Sequence, residues 1–126
     1  MRILHTSDWH LGISIHNISM NKEHKHFKNI LSRIISEKNI DAVAICGDVF
    51  DSSVSNSEAI SLYNDIVNEI CLDLKIPMLV IAGNHDGAAR LSSMRKLLEN
   101  SNMYVSGKLE KEIKPISLGT ADFYLI

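Results

Sequence analysis

The sequence predicts a layered α/β fold that is built on a parallel sheet. Short apolar runs alternate with longer segments whose apolar residues recur at helical spacing, in the order strand, helix, strand, helix, strand, helix, then strands. Each of the first three apolar runs ends in a small cluster of polar residues. The chain has 126 residues, 45% of them hydrophobic, which is enough for one domain, or part of one, with a sizeable core.

The strands are predicted from apolar runs of strand length. The run at 41–46 lacks alternation, as expected of a strand that is covered on both faces. Pro115 places its strand at a sheet edge, and a turn at 119–121 joins the last two strands. The expected strands are 2–7, 41–46, 78–82, 103–105, 113–118 and 123–126.

Three helices are predicted, at 21–38, 57–73 and 88–100. The core-facing stripe of the first is Phe27, Ile30, Leu31, Ile34 and Ile35. The stripe of the second is Ala59, Ile60, Tyr63, Ile66, Val67, Ile70, Cys71 and Leu74, with Leu62 at its edge. The stripe of the third is Leu91, Met94, Leu97 and Leu98. The second and third stripes are expected to cover the sheet.

Charge and composition narrow the class of protein. A net charge of −2 and a pI near 6.3 argue against binding nucleic acid by surface charge alone. A phosphodiester substrate remains possible, because bound divalent cations would reverse the local field. No secretory signal or membrane-length apolar run occurs, so we expect a cytoplasmic protein without a membrane partner. Cys46 and Cys71 lack CxxC spacing and are expected to be buried free thiols.

The polar clusters at the ends of the first two runs contain metal-binding residue types. Asp8 and His10 are two residues apart and would project to one face, where they can grip one ion. A carboxylate with an imidazole suits manganese, iron or zinc. Asp48 follows a glycine, and its two oxygens could bridge two cations. Asp51 could either support the Asp48 loop as a hydrogen-bond acceptor or form a turn. Trp9 is expected to pack beneath the first cluster.

The third cluster, at 83–86, reads Gly-Asn-His-Asp. Asn84 offers a carbonyl oxygen, His85 an imidazole, and Asp86 a carboxylate that could hold the His85 tautomer. Each cluster alone could be a polar turn. Parallel strands, however, bring their carboxyl ends to one edge of a sheet, which is where ligands bind. The combination of the three therefore favours a metal site at that edge.

Three segments, 7–12, 47–51 and 83–86, resemble the first three motifs of the calcineurin-like metallophosphoesterases. Residues 2–12 and 47–51 resemble one branch in particular, the SbcD nuclease subunits of bacterial SbcC–SbcD DNA repair complexes. The resemblance covers most of residues 1–100. It implies the metallophosphoesterase fold and a phosphodiesterase that acts as a DNA exonuclease and hairpin endonuclease in repair, recombination and replication. The implied partners are DNA, an SbcC-like ATPase and a second copy of the chain.

The resemblance also implies roles for individual residues. The site would hold two ions, usually manganese in this branch. Asp8 and His10 would bind the first ion, Asp48 would bridge, and Asn84 would bind the second. The remaining two residues are implied to be catalytic: His85 would contact the scissile phosphate, and Asp86 would orient His85.

One departure from the family pattern lies in the histidines. The family completes its site with later histidines, including a His-x-His pair, whereas all six histidines here lie at or before His85. We therefore expect residues 1–126 to be the truncated amino-terminal portion of the nuclease domain, with weak or absent metal occupancy and little activity alone. Two alternatives stay open. One is another metallophosphoesterase, such as a phosphatase or cyclic-nucleotide phosphodiesterase, and the other is a non-catalytic dimerisation fragment.

Overall fold

The computed structural model describes residues 1–107 and 111–126. A π-helical segment, Asn68–Asp73, continues the second helix. The elements follow one another as β1 (Ile3–Thr6), β2 (Ser14–Ile15), β3 (Ile18–Ser19), α1 (Asn21–Glu37), β4 (Ala42–Cys46), α2 (Ser57–Val67), β5 (Met78–Ile81), α3 (Ala88–Leu91), α4 (Arg95–Glu99), β6 (Met103–Ser106), β7 (Ile116–Leu118) and β8 (Ala121–Phe123).

A sheet of four parallel strands, in the order β1-β4-β5-β6, forms the centre of the structure. Its two inner strands, β4 and β5, are almost wholly apolar, and Val43, Ile45, Met78 and Val80 have no exposed surface. Such runs form the interior of a parallel sheet because helices and loops cover both of its faces. The predicted α/β class with a parallel sheet is confirmed, and its carboxyl edge carries all three polar clusters.

Helix α1 matches its prediction. It begins at Asn21, and Leu31 and Ile35 on its predicted stripe are buried in the core. Phe27, on the same stripe, meets the Trp9 ring edge-on with the centroids 5.3 Å apart. Trp9 is itself 6% exposed and donates a hydrogen bond from Nε1 to the Thr6 hydroxyl at 3.0 Å, so it anchors the first cluster in the core as expected.

Helix α2 begins at Ser57 as predicted, and the Asn56 side chain caps it by accepting from the Ala59 N–H at 2.8 Å. Three details of its stripe were wrong. Leu62, placed at the edge, is buried, whereas Ile60 and Leu74, placed on the stripe, are 38% and 37% exposed. Helical spacing predicts which residues share a face of the helix, but burial depends on which part of that face the rest of the protein covers.

The predicted third helix, 88–100, is two short helices rather than one. Met94 has a left-handed backbone with φ of 58°, which interrupts the helix between α3 and α4. Leu91 is buried and Leu98 packs against the core, as the stripe predicted. Met94 and Leu97 are instead 74% and 65% exposed, because the interruption turns them away from the sheet.

The first loop contains a hairpin, β2 with β3, that was not predicted. Its turn residues, His16 and Asn17, have φ of 50° and 63°, and positive φ at both central positions is typical of a tight hairpin turn. The final hairpin pairs β7 with β8 antiparallel. Its second strand spans Ala121–Phe123 rather than 123–126, so Ala121 belongs to the strand and not to the turn.

The two cysteines are free but differ in burial. Cys71 is buried, as expected. Cys46 is exposed, which contradicts the expectation, because it is the last residue of β4 and lies at the open carboxyl edge. None of the helices in the described part of the chain is both long enough and apolar enough to span a membrane.

Candidate metal centre

Backbone hydrogen bonds join the first two polar clusters to each other and the second cluster to the end of β5. The Asp8 N–H donates to the Gly47 carbonyl at 3.1 Å, and the His10 N–H donates to the Asp48 carbonyl at 3.0 Å. The Gly47 N–H in turn donates to the carbonyl of Ile81, the last residue of β5, at 2.9 Å. The pairing of the sheet therefore continues into the loops and sets the spacing of the side chains above it.

The backbone is left-handed at three of the predicted metal ligands. Asp8, His10 and Asp48 have φ of 54°, 44° and 47°. Such values are uncommon outside glycine and cost on the order of 1–3 kcal/mol each, so they persist only where the surroundings enforce them. Here the hydrogen bonds between the first two clusters provide that support. The turns direct all three side chains towards one point.

Asp8, His10 and Asp48 offer donor atoms that lie close together. His10 Nε2 is 3.8 Å from Asp8 Oδ1 and 4.0 Å from Asp48 Oδ2. One donor atom from each residue lies within 4.8 Å of the others, which is close enough to surround a single ion. Two carboxylates and an imidazole are a donor set that suits a borderline divalent cation. These residues therefore fit the ion that the sequence predicted for them.

The second oxygen of Asp48 is bound to the third cluster. Asp48 Oδ1 accepts a hydrogen bond from the His85 N–H at 3.0 Å. This contact requires close approach, because a Cβ at Gly83 would lie 2.1 Å from Asp48 Oδ1 and 2.2 Å from its backbone nitrogen. Gly83 is thus explained by the space that Asp48 needs. Asn84 is exposed and lines an open cleft together with Asp8 and Asp48.

Asp86 is buried, with 7% of its surface exposed, and its contacts differ from the expectation. Its carboxylate accepts hydrogen bonds from the N–H groups of Val49 at 3.1 Å, Phe50 at 2.8 Å and Gly83 at 2.8 Å. Among the described residues it makes no hydrogen bond to the His85 ring, so the expected direct orientation of that ring is wrong. Asp86 instead fastens the second cluster to the third, because backbone donors satisfy its charge.

His85 is exposed, and the backbone of Asp51 holds its ring. Nδ1 lies 2.9 Å from the Asp51 carbonyl oxygen, which can only accept, so Nδ1 carries the proton. This hydrogen bond raises the pKa of His85 by more than desolvation lowers it, and the carboxylates of Asp48, Asp51 and Asp86 raise it further. The ring also meets the His10 ring edge-on at 5.2 Å between centroids. Nε2 is left as the nitrogen for a ligand.

Asp51 contacts both His10 and His85, which the sequence did not predict. Its carboxylate Oδ1 is 3.4 Å from His10 Nδ1, while its carbonyl contacts His85. His10, Asp51 and His85 thus form a second group of close donor atoms. The available signal was its position three residues after Asp48 in the same loop, but the sequence did not separate a supporting acceptor from a turn residue.

Comparisons with known proteins agree with this geometry. The profile of the calcineurin-like phosphoesterase family matches residues 1–123. The chain is 33% identical over 126 residues to a protein from Staphylococcus epidermidis that is named as the SbcD subunit of the SbcCD nuclease, and 34% identical over 124 residues to the protein of the same name from Staphylococcus saprophyticus. These alignments include 100% and 98% of this chain but only 34% and 33% of the two relatives. The chain therefore spans about a third of their length. The chain belongs to the calcineurin-like phosphoesterase family, whose members hydrolyse phosphoester bonds with bound divalent metals.

Proposed function

We propose that residues 1–126 form the amino-terminal portion of a metal-dependent DNA nuclease that hydrolyses phosphodiester bonds. The observation that carries this proposal is the convergence of donor atoms of Asp8, His10 and Asp48 within 4.8 Å of one another, with the His85 N–H held on the other oxygen of Asp48. The similarity to two proteins named as nuclease subunits favours DNA over other phosphoesters. We further propose that this nuclease acts in the cytoplasm together with an SbcC-like ATPase. Its role would be in DNA repair, recombination and replication.

Asp8, His10 and Asp48 would hold the first ion, and Asp48 with Asn84 would contribute to the second. Manganese is the proposed metal because the resemblance to the SbcD branch implies it, and the donor set of carboxylate, amide oxygen and imidazole is compatible with it. When bound, the ions would activate water and neutralise charge on the phosphate. Asp86 maintains the arrangement by tying the backbone of the second cluster to that of the third.

His85 is the proposed catalytic residue. Its ring is exposed at the cleft edge, and the hydrogen bond to the Asp51 carbonyl fixes Nδ1 as a donor. Protonation then occurs at Nε2, and the raised pKa increases the protonated fraction near neutral pH. A protonated ring can donate to a phosphate oxygen and transfer its proton to the leaving oxygen. Asp86 contributes indirectly, because it holds the loop that carries His85.

The test compares DNA with small phosphate esters. The chain alone, and a chimera in which it replaces the matching third of the Staphylococcus epidermidis relative, would be assayed with Mn²⁺ on duplex ends, hairpins, p-nitrophenyl phosphate and cyclic nucleotides. We expect little turnover by the chain alone and DNA hydrolysis by the chimera. Preference of the chimera for a small ester would favour the phosphatase or cyclic-nucleotide phosphodiesterase alternative instead.

His85→Ala in the chimera tests the role of His85 in the chemical step. We expect a loss of about 10²–10⁴-fold in turnover, the range for a general acid, with a circular dichroism spectrum like that of the parent. Asp65→Asn removes an exposed charge from α2, away from the site, and should leave turnover unchanged. Robust DNA hydrolysis by the chain alone would contradict the expectation that residues 1–126 provide only part of the active site.

Exposed apolar residues favour self-association as a second property of the chain. Ile60 on α2 and Met94 and Leu97 near α4 are 38%, 74% and 65% exposed. Apolar side chains grouped at one surface are typical of interfaces between proteins. We propose a homodimer through this surface. Sedimentation of the chain with Leu97→Glu should show a shift to monomer, whereas a dimer unaffected by this change would place the interface elsewhere.

A further inference from the structure

We propose that Asp51 is a positioning residue that prepares His10 to bind metal, an inference that rests on the metal site proposed above. His10 has two ring nitrogens with different surroundings. Nε2 faces Asp8 and Asp48 at 3.8 Å and 4.0 Å, while Nδ1 lies 3.4 Å from Asp51 Oδ1. Nδ1 is buried, and no aligned hydrogen bond satisfies it among the described residues. The Asp51 carboxylate is therefore its close electrostatic neighbour.

The position of this carboxylate selects one tautomer of His10. A neutral imidazole carries one proton, and the nitrogen that binds an ion must be the other one. With the proton on Nδ1, the positive end of the N–H dipole lies near the negative oxygen of Asp51, although the two are not aligned as a hydrogen bond. With the proton on Nε2, the lone pair of Nδ1 would face that oxygen and be repelled. Asp8 and Asp48 act in the opposite sense on Nε2, but their oxygens are more distant and Asp8 is 65% exposed to solvent. Asp51, the nearest carboxylate, thus favours the form whose Nε2 lone pair is free to bind an ion.

The backbone holds Asp51 at this distance. The Asp51 N–H donates to the Leu11 carbonyl at 3.1 Å, and Leu11 directly follows His10 in the chain. The Leu11 N–H donates in turn to the Val49 carbonyl at 2.9 Å. Residues 10 and 51 are therefore joined through two neighbouring backbone contacts. The carboxylate needs no long side chain to reach the ring.

The two contacts of Asp51 can be separated by substitution. Its carboxylate acts on His10, whereas its carbonyl acts on His85 at 2.9 Å. A change of the side chain removes the first influence and leaves the second, so His85 is an internal control in the same molecule. Asp51→Asn keeps the size and removes the charge, and Asp51→Ala removes the group.

The first measurement needs no metal. Long-range ¹H–¹⁵N spectra of the full chain, recorded at pH 8 without metal, report which ring nitrogen of each neutral histidine carries the proton. In the parent we expect His10 as the Nδ1–H tautomer. In Asp51→Ala we expect a shift towards Nε2–H, with the His85 tautomer unchanged. Asp65→Asn, which removes an exposed carboxylate on α2, should leave the tautomers of both rings unchanged.

The second measurement is a calorimetric titration with Mn²⁺ of the chimera described above, because the chain alone is expected to bind metal weakly or not at all. Removal of a group that orients a metal-binding histidine typically weakens binding by about 10–100-fold, so we expect that loss for Asp51→Asn with unchanged stoichiometry. Asp65→Asn should stay within about twofold of the parent. Loss of a whole site in Asp51→Asn, rather than of affinity, would make Asp51 a direct ligand and overturn the positioning role.

The two measurements distinguish this inference from the proposed function. A chimera that carries the unchanged chain and binds no Mn²⁺ counts against the proposed metal site. A His10 ring that is Nε2–H in the parent, or one that keeps its tautomer in Asp51→Ala, overturns the role of Asp51 whatever the metal does. Thermal unfolding of each variant identifies loss of structure, and if Asp51→Ala does not fold, the isosteric Asp51→Asn provides the same comparison.

Discussion

The carboxyl edge of the sheet, which carries the candidate metal ligands, and the segment between α3 and α4 both contain strained backbone, but with different consequences. At the edge, Asp8, His10 and Asp48 are left-handed, and hydrogen bonds to neighbouring clusters enforce each turn. In the other segment, Met94 is left-handed and its side chain is 74% exposed. Strain at the edge aims three ligands at one point, whereas strain at Met94 divides a helix. Backbone strain is thus informative about a site only together with the contacts that maintain it.

The largest expected effect tests those contacts at Asp86. Asp86→Ala would leave three backbone N–H groups without their acceptor in a buried place. Because each buried unsatisfied group costs about 1–3 kcal/mol, we expect the free energy of unfolding to fall by roughly 3–5 kcal/mol, measured in urea.

Asp8→Asn is the matched control for Asp86→Ala. The Asp8 side chain is 65% exposed, so its change should alter the free energy of unfolding by less than about 1 kcal/mol while it weakens metal binding. Equal stability losses in the two variants would mean that the buried carboxylate is no more important to the edge than an exposed ligand is.

Gly83 provides the next largest test. In Gly83→Ala the new Cβ would overlap Asp48, and the loop must shift, so we expect a loss of about 1–3 kcal/mol in the free energy of unfolding together with weaker Mn²⁺ binding. The control is Gly87→Ala, whose Cβ would meet its nearest neighbour, the Ser53 carbonyl, at 3.4 Å. We expect that variant to stay within about 0.5 kcal/mol of the parent. A tolerated alanine at 83 would show that Asp48 and the third cluster are not tightly fitted.

The sheet and the placement of the candidate ligands could be predicted from the sequence. Apolar runs that lack alternation indicate buried parallel strands, and parallel strands carry their following residues to one edge. Asp8, His10, Asp48 and Asn84 therefore had to lie near one another. Their residue types then indicated a cation. This part of the inference needed only the position of each residue relative to its strand.

The contacts of Asp86 and Asp51 could not be predicted in the same way. Asp86 binds backbone N–H groups, which nearly every residue possesses, so no sequence pattern marks its partners. Asp51 acts through one side-chain oxygen and one carbonyl, and only the three-dimensional path of the loop decides where each points. The turn at Met94 was also hidden, because helical spacing continues through it and methionine is not a typical left-handed residue.

Relief of the strain at Met94 should have a smaller effect. Glycine adopts the left-handed conformation without the steric cost of about 1–2 kcal/mol, although it loses more entropy on folding. Since the Met94 side chain is 74% exposed in the single chain, we expect Met94→Gly to raise the free energy of unfolding by roughly 0.5 kcal/mol when it is introduced into the monomeric Leu97→Glu variant. Met94→Ala, which keeps the strain, should not do so. A clear destabilisation by glycine would mean that the Met94 side chain contributes packing that outweighs the strain.

The smallest expected effect compares a histidine of the edge with a histidine of α1. The pKa of His85 is raised, chiefly by its hydrogen bond to the Asp51 carbonyl, and the pKa of His24 is lowered by burial. NMR titration without metal should therefore place His85 above the ordinary value of 6.5 and His24 below it. The folded protein binds the His85 proton more tightly than the unfolded chain does, so this contribution to stability is present at low pH and lost as pH rises through the folded pKa. For His24 the sign is reversed, and stability falls as pH drops below 6.5. If the pKa values of both histidines lay on the same side of 6.5, the hydrogen bond to Asp51 would not make the electrostatic environment of His85 different from that of His24 in α1.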